Sequence, residues 1–203
     1  MTQPSPATPS SKKHHPGRWI RRGVLTVLLV YLCIAVLPYA FQTSAASLPS
    51  DWRSAASSAS HVDSAAILET GGDAMEMRLR LISGAQSSIR AGTYLYAMDE
   101  SGTQIAAALL AAADRGVKVQ LIIDGMFGFS NLRFHPAAYA LGSHPHVEIR
   151  FYNPINLLDP AGLNARYHEK FFVIDDAWLI LGGRNISDEF LSQEGNPHYN
   201  YDR

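Results

Sequence analysis

Between Gly23 and Ser50 the chain carries no charged side chain, and Gly23 to Ala40 reads GVLTVLLVYLCIAVLPYA. In hydrocarbon every backbone polar group must be satisfied within the segment, so such a run has essentially one structure open to it, a helix. Its length approaches the roughly 20 residues needed to cross a bilayer. Lys12, Lys13, Arg18, Arg21 and Arg22 precede it, and no Lys or Arg follows until Arg53. That asymmetry predicts a cytoplasmic N-terminus and an exported remainder, with the chain spanning the cell membrane once. A cleavable signal peptide is the rival, with Ser44-Ala45-Ala46 as its cleavage site. An uncleaved anchor is favoured because the run exceeds the usual signal core of about 7 to 15 residues. Trp19, Tyr31 and Tyr39 are then lipid-facing or interfacial aromatics.

The anchor divides the chain. Residues 1–18 form a polar, basic and disordered tail, and 19–41 the membrane helix or signal anchor. Residues 42–62, rich in Ser and Ala and without hydrophobic periodicity, form a linker. Residues 63–203 form the folded domain. Setting aside the five N-terminal cations leaves 12 basic residues against 18 acidic ones. That balance disfavours nucleic acid as a partner, because binding it needs a basic face that releases counterions. Cys33 is the single cysteine, so no internal disulfide framework or cysteine-rich zinc site is possible.

Within the domain a short helix is possible between Asp63 and Thr70. Asp73 is placed to cap a helix reaching about Ser83, with Met75, Leu79 and Ile82 at helical spacing. Ser88 to Ala97 reads as a strand. Ser101 with Gln104 suggests a capping box for a helix to Arg115, closed by Gly116. Val117 to Ile123 is the next strand, so strand-helix-strand implies a parallel pair. Asp99 and Asp124 sit at strand ends, where ligand sites gather in α/β folds, but as caps or loop tethers they need no catalytic role. Pro136 to Leu141 is a helix in a loop holding His135, His144 and His146. These histidines are read as surface residues, since no carboxylate or Cys joins them at ligand spacing. Val147 to Tyr152 is another strand. In the loop Asn153 to Arg166, Leu157 and Leu158 either touch an acyl chain or cover the core.

Phe171 to Ile174 and Ala177 to Leu181 are two apolar runs separated by Asp175-Asp176, a hairpin pattern. Side chains alternate along a strand, so His168 and Lys170 share a face, and the return arm brings Gly182, Gly183 and Asn185 back beside them. An imidazole, an ammonium and a carboxamide next to two glycines suit phosphoryl chemistry. The imidazole can attack phosphorus, while the two donors steady the non-bridging oxygens. No metal or other cofactor is required. Arg166 is a further candidate phosphate contact. Ile186 to Leu191 is a short helix whose first-turn acids Asp188 and Glu189 suit its dipole.

The spacing His168-x-Lys170-x4-Asp175-x6-Gly182-x-x-Asn185 resembles the HxKxxxxD signature and trailing GSxN of the phospholipase D superfamily, with Gly183 at the usual serine position. The tail from Gly182 to Phe190 is similar to bacterial cardiolipin synthases, and AAADRGVKVQLIIDG resembles the opening half of such domains. The likeness spans about residues 71–203. It implies an α/β fold with a mixed β-sheet flanked by helices, and a phosphatidyltransferase acting on phospholipid through a phosphohistidine at His168. It further implies that Asp175 braces the hairpin turn away from the phosphate. The acid that orients His168 would lie on a following strand, with Asp202 on Tyr199 to Arg203 the first candidate and Glu194 the second. Enzymes of this family use two such motifs, and no second HxKxxxxD occurs here. The chain is therefore expected to be the N-terminal half of a two-motif enzyme. Alternatively it forms a homodimer pairing two motifs, or is an inactive membrane-anchored remnant. An exported phosphodiesterase or nuclease of the same superfamily is the rival activity.

Overall fold

A computed structural model describes residues 16–40 and 64–192. The linker at 42–62, Glu194, and the strand expected from Tyr199 to Arg203 with Asp202 lie outside the described residues, as does most of the tail. The chain divides into two units. In the first, helix α1 (Pro16–Ala40) contains Gly17–Leu37, long and apolar enough to cross a membrane.

The second unit is a five-stranded mixed sheet with helices packed on it. Its elements are α2 (Gly71–Gly84), β1 (Ser88–Thr93), α3 (Glu100–Asp114), β2 (Lys118–Asp124), α4 (Phe127–Leu132), α5 (Pro136–Gly142), β3 (Val147–Tyr152), β4 (Phe171–Ile174), β5 (Trp178–Leu181) and α6 (Asp188–Leu191). Strand order is β3-β2-β1-β4-β5. β1, β2 and β3 run parallel, whereas β4 is antiparallel to both β1 and β5. Ile89, Ala91, Val119, Leu121, Phe172 and Ile174 form the buried side of the sheet, packed with Ile82, Ile105 and Leu109 from the helices. Their alternation with exposed Arg90 and half-buried Gln120 and Val173 is the period of two that a half-covered sheet requires.

Several ends differ from the sequence expectation. The cap of α2 is Thr70, whose hydroxyl accepts from the Asp73 N–H at 3.0 Å, and Asp73 answers from the third helical position. A capping box satisfies two orphan donors at once, which is why it displaces the single Asp cap. Of the short helix considered between Asp63 and Thr70, residues 64–69 have no regular structure, and Asp63 lies outside the described residues. Asp99, not Ser101, caps α3, accepting from Gly102 N–H at 3.0 Å. Gly116, with φ of 94°, follows that helix as expected. β1 stops at Thr93 rather than Ala97, because residues 95–97 bond instead to the segment at 185 and 186.

The β4–β5 turn places both Asp175 and Asp176 at positive φ, 53° and 55°, with Ala177 N–H donating to Ile174 O. Such mirror-image turns match the right-handed twist of paired strands, and Asp tolerates the left-handed region. The Asp175 carboxylate reaches back to the start of β1. It accepts from the N–H groups of Gln86, Ser87 and Ser88 at 2.8 to 2.9 Å and from the Ser87 hydroxyl at 2.8 Å. These donors, led by Ser88 N–H, hold the carboxyl well below the usual carboxylate range.

Asp175→Ala is expected to destabilise the domain by about 1–2 kcal/mol, the scale of losing charge-assisted bonds at a partly solvated site. The folded carboxyl sits below its unfolded value. Its contribution is therefore complete above about pH 4 and lost as pH falls below that. Chemical denaturation of parent and variant between pH 2 and 7 checks this. The gap between them should be constant at neutral pH and narrow in acid.

Candidate active site

The register of the sheet decides which chain segments meet. Gly92 faces Phe171 across β1 and β4, and Phe171 faces Leu181 across β4 and β5. One residue beyond each strand, Gly182 N–H donates to Lys170 O at 3.3 Å. The residues before β4 and those after β1 and β5 therefore collect at one edge of the sheet. Two parallel-type contacts extend this, Ile186 N–H to Leu95 O at 3.1 Å and Ala97 N–H to Ile186 O at 2.9 Å.

At that edge His168 is exposed, and its ring centroid lies 4.9 Å from that of Tyr94. Lys170 is only 5% exposed; its Nζ donates to His168 O at 2.5 Å and lies 5.5 Å from the same Tyr94 ring. Imidazole and ammonium thus share one side of the chain, as their spacing of two demands. Asn185 is 7% exposed, and its Oδ1 accepts from Leu95 N–H at 3.1 Å. With the carbonyl so engaged, its amide group is the end oriented for donation. Gly182 and Gly183 are exposed beside it, and a Cβ built on Gly182 would meet nothing within 4 Å.

Tyr94 was legible in the sequence only as a strand residue. Its ring lies near both His168 and Lys170, and the Phe127 ring centroid is 5.0 Å from it. Burial and then the Asp124 carboxylate push its phenol upward, while Arg166 opposes them. Gly92 is a second residue the sequence did not single out. A Cβ there would approach the Tyr167 hydroxyl to 2.4 Å and the Phe171 ring to 2.6 Å, so only glycine lets these rings lie over β1.

Four aspartates hold the frame. Asp124, fully buried at the end of β2, accepts from Met126 N–H at 2.9 Å and Tyr167 N–H at 2.8 Å. It also accepts from Arg166 Nη1 at 3.3 Å. Arg166, a candidate phosphate contact from the sequence, is engaged within the protein here. Its other terminal nitrogen donates to Asn153 O and Gly162 O at 3.0 and 3.2 Å, so the guanidinium clamps a loop. Asp188 does more than complement a dipole. Its carboxylate accepts from Ser101 N–H at 2.7 Å and Glu100 N–H at 3.4 Å, while Asp99 accepts from Asp188 N–H at 2.8 Å. Burial works against the charge of Asp188, but these donors outweigh it and keep its carboxyl below the ordinary range. Asp175 lies at the opposite end of β4 from His168 and touches none of these groups. The three loop histidines have local tasks. His135 caps α5, His144 Nε2 lies 3.3 Å from Asp114, and His146 Nδ1 lies 3.1 Å from Ala113 O.

A mixed sheet presenting an exposed imidazole beside a buried ammonium and an oriented amide is the architecture of a phospholipase D-like domain. The fold matches the crystal structure of phosphatidylserine synthase from Haemophilus influenzae Rd KW20. Its TM-score is 0.52 at 21% identity, over 67% of this chain and 31% of that one. Residues 79–196 match the family described as cardiolipin synthase, PLD-like domain, and the chain belongs to that family. Cardiolipin synthase C of Escherichia coli (strain K12) is 36% identical over 139 residues, covering 64% of this chain and 29% of that protein. The major cardiolipin synthase of Bacillus subtilis (strain 168) is 33% identical over 138 residues, covering 66% and 27%. The chain thus spans less than a third of the length of these relatives.

Asp188→Ala is expected to free the segment that carries Asn185. Amide hydrogen exchange should accelerate selectively at Glu100, Ser101, Leu95 and Ala97, by about tenfold or more. That corresponds to loss of roughly 1–2 kcal/mol of local stability. Unchanged protection at Leu95 and Ala97 would show that Asn185 is positioned without this tie.

Proposed function

We propose that this domain is the nucleophile-bearing part of a membrane-anchored, cardiolipin synthase-like phosphatidyltransferase. The observation carrying the proposal is the exposed His168 imidazole set beside Lys170 and Asn185 at one sheet edge. In this reading a ring nitrogen of His168 attacks the phosphorus of a phospholipid phosphodiester. An N–P bond forms, the bond from phosphorus to the headgroup oxygen breaks, and the departing alcohol takes up a proton. A second alcohol, such as a phosphatidylglycerol headgroup, then displaces the histidine and regenerates it, whereas water in that position gives hydrolysis. Splitting one displacement into two is the advantage of a covalent intermediate.

Lys170 and the Asn185 amide serve the charge that grows on the non-bridging oxygens. Both are mostly buried and pinned by main-chain bonds, so they need little reorganisation when that charge appears. The proton donor for the leaving alcohol would be a second His-Lys motif, supplied by a further domain or by a second copy of the chain. The apolar helix Gly17–Leu37 would hold the domain at the bilayer, raising the effective concentration of its substrate. The domain would lie on the extracytoplasmic side, following the basic cluster before the helix.

The test is to quench the full-length protein during turnover of phosphatidylglycerol labelled with ³²P. Acid-labile, alkali-stable label should appear on His168 and vanish in His168→Ala. Lys170→Ala is expected to slow formation of that adduct by about 10²–10³-fold, the cost of removing one preorganised donor. Label retained in His168→Ala would overturn the assignment.

A further inference from the structure

The loop between β3 and β4 is built as a closed ring on a fixed neck. Asn153, at φ of 42°, donates through Nδ2 to Gly162 O and to Ala165 O at 2.5 and 2.9 Å. Arg166 closes the same neck from below and is itself held by Asp124. A Cβ on Gly125 would lie 2.6 Å from Pro154, so the entering strand is packed tightly as well. Such a loop has little freedom to tuck its side chains away. Yet its tip presents Ile155, Leu157 and Leu158 to solvent, at 55%, 69% and 95% exposure. The leucines therefore do not cover the core within the described residues, one of the two roles open to them from the sequence.

We infer that this loop tip, carrying Ile155, Leu157 and Leu158, inserts into the interfacial layer of a lipid bilayer and docks the reactive edge against it. The proposal rests on the lipid-directed reading of His168 given above. Three observations support it. The tip is nearly free of charge, since between Asn153 and Ala165 only Asp159 is ionisable, and its Oδ1 accepts from Gly162 N–H at 3.1 Å.

Several of the loop's backbone donors, those of Leu158, Asp159, Gly162, Leu163 and Ala165, are also satisfied from within. Leu158 N–H bonds to Asn156 Oδ1 and Asp159 N–H to Asn156 O, both at 3.0 Å. Leu163 N–H bonds to Pro160 O and Ala165 N–H to Gly162 O, while Pro154 and Pro160 have no N–H to satisfy. Each internal bond lowers the cost of approaching an apolar phase, because unsatisfied amides there are costly. Finally, the chain carries a helix able to cross a membrane, so a bilayer is the apolar phase at hand. The neck runs through Arg166 and Tyr167 directly into His168, and Asp124 holds both neck residues. Insertion of the tip would therefore set the depth and tilt of the imidazole.

The decisive experiment uses the full chain with Cys33→Ser and a single new cysteine, Leu158→Cys, bearing a polarity-sensitive fluorophore. A matched protein carries the label at Glu76→Cys on exposed α2. Both are reconstituted into phosphatidylcholine–phosphatidylglycerol vesicles with or without brominated lipid. The label at 158 should shift to the blue and be quenched by bromine, while that at 76 should do neither. Identical, water-like spectra at the two positions would overturn the proposal. Leu157→Ser/Leu158→Ser provides the second readout. Turnover of vesicle lipid should fall by about tenfold or more per leucine, the scale of one aliphatic side chain left unburied. Hydrolysis of a monomeric, short-chain phosphodiester should be unchanged. Equal rates on vesicles for the double variant and the parent would also overturn the inference. The two readings separate cleanly. Quenching at 158 in a protein that forms no phosphohistidine leaves the loop standing and removes the chemistry. Adduct formation with an unquenched label does the reverse.

Discussion

One carboxylate fastens the hairpin to the sheet. Asp175 takes four hydrogen bonds from residues 86 to 88, almost ninety positions earlier in the chain. A strand pair slipped by one residue would turn every side chain to the wrong face. Fixing Asp175 against Ser88 removes that freedom, because Ile174 must then pair with Ile89 and Phe171 with Gly92. His168 and Lys170 are three residues and one residue upstream of that pairing. Their position at the edge follows from a bond made at the far end of the same strand. The family signature therefore contains two kinds of residue. His168, Lys170 and Asn185 gather at the edge proposed to be reactive, and Asp175 sets the register that puts them there.

The other frame aspartates act on the same principle at different joints. Asp124 fixes the backbone of Tyr167, next to the imidazole, and Asp99 with Asp188 fixes the segment that follows Asn185. Each carboxylate accepts main-chain N–H groups that would otherwise lack partners at a strand end or helix start. Such groups must be satisfied, and an anion satisfies several together with a charge-assisted bond. The reactive edge is thus supported from three directions, while the imidazole itself stays open to solvent. That combination, a rigid frame around an accessible imidazole, is what the proposed phosphoryl-transfer chemistry needs.

The aromatic residues complete the arrangement. Tyr94 lies against both His168 and Lys170, and Phe127 backs it. A ring beside an ammonium is favourable and restricts where the lysine can point. Tyr167 and Phe171 sit over Gly92, so one glycine makes room for the wall on which the motif rests. From this wall the clamped loop at 153–165 extends outward, with its aliphatic tip remote from the core. The domain therefore has a polar reactive edge and an apolar projection joined by two residues of backbone.

The features legible in the sequence were those with short-range causes. An uncharged apolar run permits only a helix; alternation with Asp-Asp between two apolar runs permits only a hairpin; a spacing of two puts His168 and Lys170 on one side. Each of these is governed by backbone geometry within a few residues, and the sheet and motif followed from them. Tertiary structure alone decided that Arg166 pairs with Asp124. It likewise decided that Asp188 accepts from the first N–H groups of α3, that Tyr94 lies against the imidazole, and that Leu158 points outward. Those partners are separated by about 40 to 90 positions, and no local pattern marks them. Hydrogen-bond donors are shared out only when the strands come together, and which carboxylate wins depends on reach and burial rather than on spacing along the chain.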